Sequence, residues 1–325
     1  MAKPQFSTEL NTVFTAHGRE YLSRLPADNF YLGNPTLNMM RRTSRKRTGS
    51  KYILEPLLEG GEPVGGAYER TQALPTVSTD PVTEATFRWA HYSEPVSIFW
   101  QDEFHASGAG ALFNYIEIRI NDARLKLERQ LSRDLWAPTP GVASISSLPV
   151  AVDNVQTFGE LSPASQTYWA SQVNGAGTVF PTVGLDAMRK MSNDVTQGGL
   201  KSWDWIMTDQ ATWEMYVSLA EDKHNIWTGG SENAASRLAD LGFPVAMYQG
   251  KPLSWDLNCP VGEMYYINNE AMQLCESYGG PFQLTPFQSM NVNGQQGRIA
   301  YLRWSGQVTV RNRRCLGKIT NITES

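Results

Sequence analysis

Few residues of this 325-residue chain are spaced for catalysis or metal binding. Asp102, Glu103 and His105 lie within four positions, and all three residue types can bind metal ions. Their spacing differs from the H-E-x-x-H pattern of zinc enzymes, and no second histidine is nearby, so we interpret them as polar surface residues. No G-x-S-x-G elbow for a catalytic serine is present. The sequence predicts neither an enzyme nor a bound metal or cofactor.

The segment HASGAGALF contains half of a dinucleotide-binding fingerprint. Gly108 and Gly110 supply G-x-G, but Phe113 stands where the third glycine belongs. The helical pattern that follows runs into Pro138 instead of a second strand with an acidic residue for the ribose. We therefore interpret this segment as a glycine hinge before a helix. The phosphate-binding sequence G-x-x-x-x-G-K-[ST] is also missing.

The most strongly charged segment is RRTSRKRTGSK, at residues 41–51. Six of its eleven residues are basic and none is acidic, although the whole chain has 28 basic and 32 acidic residues. By charge alone this segment could contact phosphates, and a nucleic-acid-binding protein is the alternative function that it supports. It lacks the interleaved aromatic residues of single-strand binders, and it leads into a predicted strand. Charge complementarity with a neighbouring subunit is therefore favoured.

The composition is typical of a folded protein with large interfaces. Hydrophobic residues make up 41% and aromatic residues 11%, whereas charged residues are only 18%. We expect extensive self-association on this basis. No stretch approaches 18 apolar residues, so no membrane span is expected. Cys259, Cys275 and Cys315 are odd in number and lack C-x-x-C spacing, which predicts reduced thiols.

The periodicity of apolar residues predicts an α+β fold. Residues 7–25 are expected to form a short helix, and shorter helical patterns occur at 186–193 and 208–219. The clearest helix is predicted at 111–136, where apolar residues recur at steps of three and four: Leu112, Ile116, Ile120, Ala123, Leu127, Leu131 and Leu135. Strands are predicted at 245–248, 264–267, 299–304 and 308–311.

Residues 52–92 predict a long two-stranded arm. The residues at 52–54 and 87–92 have the aromatic and β-branched content of strands. Between them, two Gly-Gly pairs and several prolines predict a flexible excursion. Because an isolated two-stranded hairpin is marginally stable in water, we expect the arm to lie on another surface.

The order of these features resembles that of one family. An N-terminal arm leads to GSKYILEPL (49–57), followed by the hairpin, a return strand within 86–103 and the long helix. Two patterns are the most specific: G-F-x-V-x-x-Y-x-G-x-P-x-x-x-D-x-x-x-P-x-G-x-x-Y-x-x-N at 242–268, and L-x-W-x-G-Q-x-x-V-x-N-R-R at 302–314. Over nearly its whole length the chain resembles the major capsid proteins of tailed double-stranded DNA bacteriophages, the Hong Kong 97-type fold.

The resemblance implies a division of the chain into five segments. They are an N-terminal arm (1–40), an extended loop (41–86), a peripheral domain with the long helix as its spine (87–143), an axial domain (144–300) and returning peripheral strands (301–325). Subunits of this family form hexamers and pentamers that close into an icosahedral head around packaged DNA. The implied location is the virion, after assembly in the host cytoplasm, with no membrane contact.

The resemblance also implies partners. They are further copies of the chain, a scaffold, a portal, a cement protein where one is used, and double-stranded DNA held non-specifically. Intersubunit contact is predicted for Arg41, Arg42, Arg45, Lys46, Arg47, Lys51, Gly60, Gly61, Gly65, Gly66 and Trp89. Reversing the five basic residues of 41–47 to Glu is expected to leave a folded subunit that cannot close a shell. No autocatalytic Lys–Asn crosslink is predicted, because Lys51 lies at the loop base without a matching partner.

Overall fold

The computed structural model describes residues 34–58, 67, 70, 82–105, 109–175, 177–196, 202–221, 245–279, 282–290 and 296–324. The predicted helix at 7–25 and the four loop glycines Gly60, Gly61, Gly65 and Gly66 lie outside the described residues. The described α-helices are α1 (Pro35–Arg42), α2 (Trp100–His105), α3 (Ala109–Leu135), α4 (Leu148–Ala151), α5 (Leu185–Thr196) and α6 (Gln210–Glu221). No helix among these is long and apolar enough to cross a membrane.

The described strands pair mostly antiparallel, which fits the predicted α+β class. In chain order they are β1 (Arg45–Arg47), β2 (Tyr52–Leu58), β3 (Val82–Arg88), β4 (Ala90–Phe99), β5 (Gln172–Asn174), β6 (Thr178–Val179), β7 (Trp205–Thr208), β8 (Val245–Tyr248), β9 (Lys251–Trp255), β10 (Met264–Ile267), β11 (Met272–Ser277), β12 (Gln283–Leu284), β13 (Gln288–Ser289), β14 (Gly297–Val310), β15 (Gly317–Ile319) and β16 (Ile322–Thr323). The strands predicted at 245–248 and 264–267 are confirmed, as are both shorter helices within a few residues.

The long helix α3 confirms the clearest sequence prediction. It runs for 27 residues, and the predicted apolar stripe is buried at Ile116, Ile120, Ala123, Leu127, Leu131 and Leu135. Lys126 and Asp122 form an exposed ion pair of 2.8 Å one helical turn apart. Through this buried stripe, α3 packs against the first sheet along one half of its length and against the central core along the other half.

The first sheet is built around β14. One edge of β14 pairs antiparallel with β4, and the other pairs in turn with β13, β12 and β11, while β1 adds to β11 in parallel. Val96, Ile98, Ala300 and Leu302 of this sheet pack against α3. The strands predicted at 299–304 and 308–311 both fall in β14, except for Arg311, and β14 continues through Gly306 as one strand. A Cβ atom there would lie 2.6 Å from the Trp304 ring, so glycine permits close packing inside one continuous strand.

The second sheet has the order β5-β15-β10-β7-β9-β8. Helices α5 and α6 cover one of its faces through Met188, Met191 and Tyr216. Its other face contributes Trp205 and Tyr265 to a core shared with the first sheet and the end of α3. The two sheets are therefore joined by one continuous apolar core.

The pairing of the strands does not follow the boundaries of the five predicted segments. Strands β11, β12 and β13 fall within 144–300, the predicted axial domain, yet they pair with β14 in the first sheet beside β4 and α3. Strand β15 falls within 301–325, the predicted peripheral strands, yet it pairs with β10 and β5 in the second sheet. A division by sequence position cannot show this, because each sheet takes strands from distant parts of the chain.

Candidate intersubunit surfaces

The root of the predicted two-stranded arm is present, and it rests on its own chain. Strands β2 and β3 pair antiparallel from Tyr52↔Arg88 to Leu58↔Val82. The inward side chains, including Ile53 and Phe87, are buried, and the Phe87 ring meets Phe158 edge to face at 5.2 Å. The support that an isolated hairpin needs is therefore supplied, for the root, by the body of the same chain.

The outward face of this root carries exposed apolar side chains beside the exposed Glu84. Alternation along the strands turns Leu54 and Leu58 outward with exposures of 45% and 79%, and Val82, which pairs with Leu58, is 56% exposed. We call these three residues the hairpin patch. An apolar group held on a fixed pair of strands is a surface that another protein can cover.

The basic segment also lies against its own chain. Arg41 and Arg42 end α1, and Arg45–Arg47 form β1, which is hydrogen-bonded to β11. Arg42, Lys46 and Lys51 are exposed, whereas Arg41, Arg45 and Arg47 are half-buried. Residues 45–47 of the segment thus form the edge of a sheet.

Two buried carboxylates face the basic segment from within the chain. Ser44 Oγ donates to Glu276 Oε2 at 3.5 Å. Burial raises the pKa of Glu276, and the positive charges of Arg41 and Lys46 act in the opposite direction. Part of the positive charge in this segment is therefore offset inside the subunit.

Glu55 is the second carboxylate, and it ties the hairpin root to the first sheet. Its Oε1 accepts from Arg47 Nη2 at 2.5 Å, and its Oε2 accepts from Arg311 Nε at 2.8 Å, while the side chain is only 1% exposed. Arg47 Nη1 also donates to the Leu54 carbonyl at 3.2 Å. We call this trio the Glu55 clamp. It was not predicted, although Glu55 lies within the GSKYILEPL motif.

Trp89 lies where the chain leaves the hairpin for the first sheet. The strand-like residues 87–92 of the predicted arm are divided at this residue between β3 and β4. Trp89 is partly buried and packs against the central core of its own chain. Its intersubunit contact stays a prediction, as do those of the six basic residues.

Of the residues considered for chemistry, the structure describes the side chain of Asp102. Asp102 lies on α2, and its Oδ2 accepts from Tyr115 Oη at 2.8 Å. Within the described residues no three His, Cys, Asp or Glu side chains are placed to bind a metal ion. Gly110 lies inside α3, and Gly108 is outside the described part of the chain. The three cysteines are free and buried.

Arg313 organises the end of the 302–314 motif, a role that sequence reasoning missed. It is fully buried, and its guanidinium donates to four backbone carbonyls, those of Val150, Ala151, Asp153 and Gln156, at 2.6–3.1 Å. Burial lowers its pKa to about 10, so it remains charged at neutral pH. Lys318 joins the same segment through a 2.8 Å ion pair with Asp153. The N-R-R pattern can be read from the sequence, but the carbonyl groups that Arg313 binds cannot.

Glu128 is a buried carboxyl group on α3. Its side chain is buried, and no partner of its Oε1 lies within hydrogen-bonding distance among the described residues. Burial raises its pKa to about 7, against the lowering effect of Arg124 and Arg129. The helix therefore carries a group that changes charge near neutral pH.

Comparison with known proteins identifies the fold. No family profile and no curated protein sequence matches the chain. Among solved structures, the cyanophage A-1(L) capsid asymmetric unit matches with a TM-score of 0.68 at 14% identity, covering 92% of this chain and 95% of that one. The capsid of an empty GTA particle matches at 0.56 and 12% identity, covering 87% and 89%. The holo-SrpI encapsulin complex from Synechococcus elongatus PCC 7942 matches at 0.56 and 10%, covering 90% and 89%.

All three of these structures are of shells, so the chain has the fold of shell-forming proteins. More particularly, this is the Hong Kong 97-type fold of phage major capsid proteins, as the sequence motifs predicted.

Proposed function

We propose that this chain is the major capsid protein of a tailed phage. Copies of it assemble into hexamers and pentamers, which close into an icosahedral head around double-stranded DNA. The observation that carries the proposal is the match of 92% of the chain to a phage capsid subunit. The role is structural rather than enzymatic, and the location is the virion after assembly in the host cytoplasm.

The hairpin patch supports this proposal from the subunit itself. Leu54, Leu58 and Val82 point away from the body on strands whose other face is fixed by the core. A subunit that remained single would expose this apolar surface to water permanently. Contact with a neighbouring subunit would bury it, and the residues between β2 and β3 would extend that contact.

The five-segment division is kept with one modification. We propose that the first sheet with α3 forms the peripheral domain and the second sheet the axial domain. Strands β11 to β13 then belong to the peripheral domain, and β15 to the axial one. Scaffold, portal and cement proteins are further proposed partners.

Electron microscopy of the purified chain tests the proposal. Shells, tubes or hexamer sheets at raised protein concentration are the expected result, in negative stain and without DNA. A strict monomer under all conditions, with salt-sensitive DNA affinity, would instead favour the nucleic-acid-binding alternative.

The basic segment is tested by a narrower charge reversal than the sequence suggested. Arg47 is excluded, because a glutamate there would face the buried Glu55 and unfold the hairpin root. We expect Arg42→Glu with Lys46→Glu to leave the subunit folded and to block shell closure. Lys190→Glu with Arg314→Glu is the matched control, since both of those side chains are also exposed and the charge change is the same. Equal assembly of the two variants at physiological salt would show that the segment is only solvated.

A further inference from the structure

An open polar pocket of about 390 Å³ lies on the outward face of the first sheet. It is formed in two cross-strand rows. Arg303 on β14 stands between Gln283 on β12 and Ser93 on β4, and Ser305 stands beside His91. Because paired residues share a face of the sheet, these side chains converge, and Ser277 closes the pocket at the end of β11. The opposite face of the same strands packs on α3, so the pocket has a rigid floor.

The pocket is rich in hydrogen-bond donors and contains no acidic side chain. Its lining offers the Arg303 guanidinium, the Gln283 amide and the hydroxyl group of Ser93, and His91 Nδ1 lies 2.8 Å from Ser305 Oγ. Among the described residues no carboxylate lies within ion-pair distance of Arg303. Arg47 on β1 and Arg311 just after β14 both bind Glu55. Arg303 therefore presents an open guanidinium fork to an anion from outside the described chain.

One carboxylate fits this pocket better than a nucleic acid does. Arginine binds a carboxylate through two parallel hydrogen bonds, and the surrounding amide and hydroxyl groups can satisfy the remaining lone pairs. Binding along a DNA backbone needs several cations in a row, whereas this pocket holds one permanent positive charge. Copies of the chain can supply the carboxylate, since acids outnumber bases by 32 to 28.

The position of the pocket points to the same partner. The hairpin root covers the adjoining part of the same sheet face, where Gln307 Nε2 donates to the Arg88 carbonyl at 2.7 Å. The pocket therefore borders the strands that carry the hairpin patch. We propose that this pocket receives an Asp or Glu side chain from a second copy of the chain. The inference rests on the proposed function, because it requires copies to assemble.

Substitution of Arg303 tests the contact. We expect Arg303→Gln to raise the protein concentration at which shells form by about tenfold, because a charge-assisted contact is lost from every subunit. Arg303→Lys should form shells at a concentration between those of the unmodified chain and Arg303→Gln. Lysine keeps the positive charge but cannot make two parallel hydrogen bonds to a carboxylate. The matched control is Arg314→Gln, an exposed arginine away from the pocket, which should assemble like the unmodified chain. Circular dichroism confirms that each variant is folded.

A photo-crosslinker identifies the occupant directly and keeps Arg303 intact. Ser93→p-benzoylphenylalanine is placed at the pocket rim, and shells are assembled from equal amounts of ¹⁴N- and ¹⁵N-labelled chains. The expected product joins a light peptide to a heavy one, with an Asp or Glu in the captured peptide. Crosslinks to DNA alone, or only within chains of one label, would overturn the inference.

The outcomes separate the two proposals. If the unmodified chain assembles but Arg303→Gln assembles equally well, the pocket is not an intersubunit site and the proposed function stands. If the unmodified chain never assembles, alone or with a scaffold protein, both proposals are refuted together.

Discussion

The Glu55 clamp makes a prediction that can be worked out from the geometry. Glu55→Gln keeps the shape of the side chain and removes its charge, so Arg47 and Arg311 lose their shared carboxylate. Breaking a fully buried pair from one side costs about 3–5 kcal/mol. Here the two arginine side chains are 31% and 38% exposed, so each can turn partly to water. We therefore expect the hairpin root to lose about 2 kcal/mol of local stability.

Hydrogen exchange measures this loss at the strands concerned. A cost of about 2 kcal/mol corresponds to roughly 30-fold faster exchange of the backbone amides in β2 and β3. Exchange in the second sheet should be unchanged, because the clamp does not contact it. Glu84→Gln is the control: Glu84 lies on β3, within the same hairpin, but its side chain is exposed.

A double-mutant cycle then measures the coupling between Glu55 and Arg311. Because Glu55 binds both, the effects of Glu55→Gln and Arg311→Gln should be clearly less than additive when combined. If Glu55→Gln and Glu84→Gln exchange at the same rates within a factor of two, the clamp does not hold the hairpin. The reasoning from its burial and distances would then be refuted.

Two further predictions concern buried charges. Arg313→Lys should lower the free energy of unfolding by about 3 kcal/mol in urea titrations, because an ammonium group cannot serve four separate carbonyls; a loss below about 1 kcal/mol would show that the carbonyls find other donors. Burial raises the pKa of Glu128 from 4.5 to about 7. The stability that this group contributes is therefore present below pH 4.5 and is lost as the pH rises through 7. We expect Glu128→Gln to flatten the decline of stability between pH 5 and 8 and to stabilise the chain at pH 8 by about 1–2 kcal/mol. An unchanged pH slope would contradict the raised pKa of Glu128.

The sequence by itself determined the local elements and their order. The stripe of α3, the paired strands of the hairpin root, and strands β8 and β10 follow from side-chain spacing, which depends only on the periods of helix and strand. The same order of elements, with the 242–268 and 302–314 patterns, was sufficient to predict the fold.

Only the tertiary structure decided which distant residues meet. Glu55 and Arg311 are 256 positions apart, and no local pattern relates them. At Gly306, packing places the Trp304 ring and a neighbouring carbonyl where a side chain would stand, and no local pattern shows this. Sheet membership was likewise decided by strand pairing across the chain, which moved β15 from its predicted segment into the second sheet. The basic segment shows both kinds of information. Its charge was visible in the sequence, but the buried acids that face it became visible only after folding.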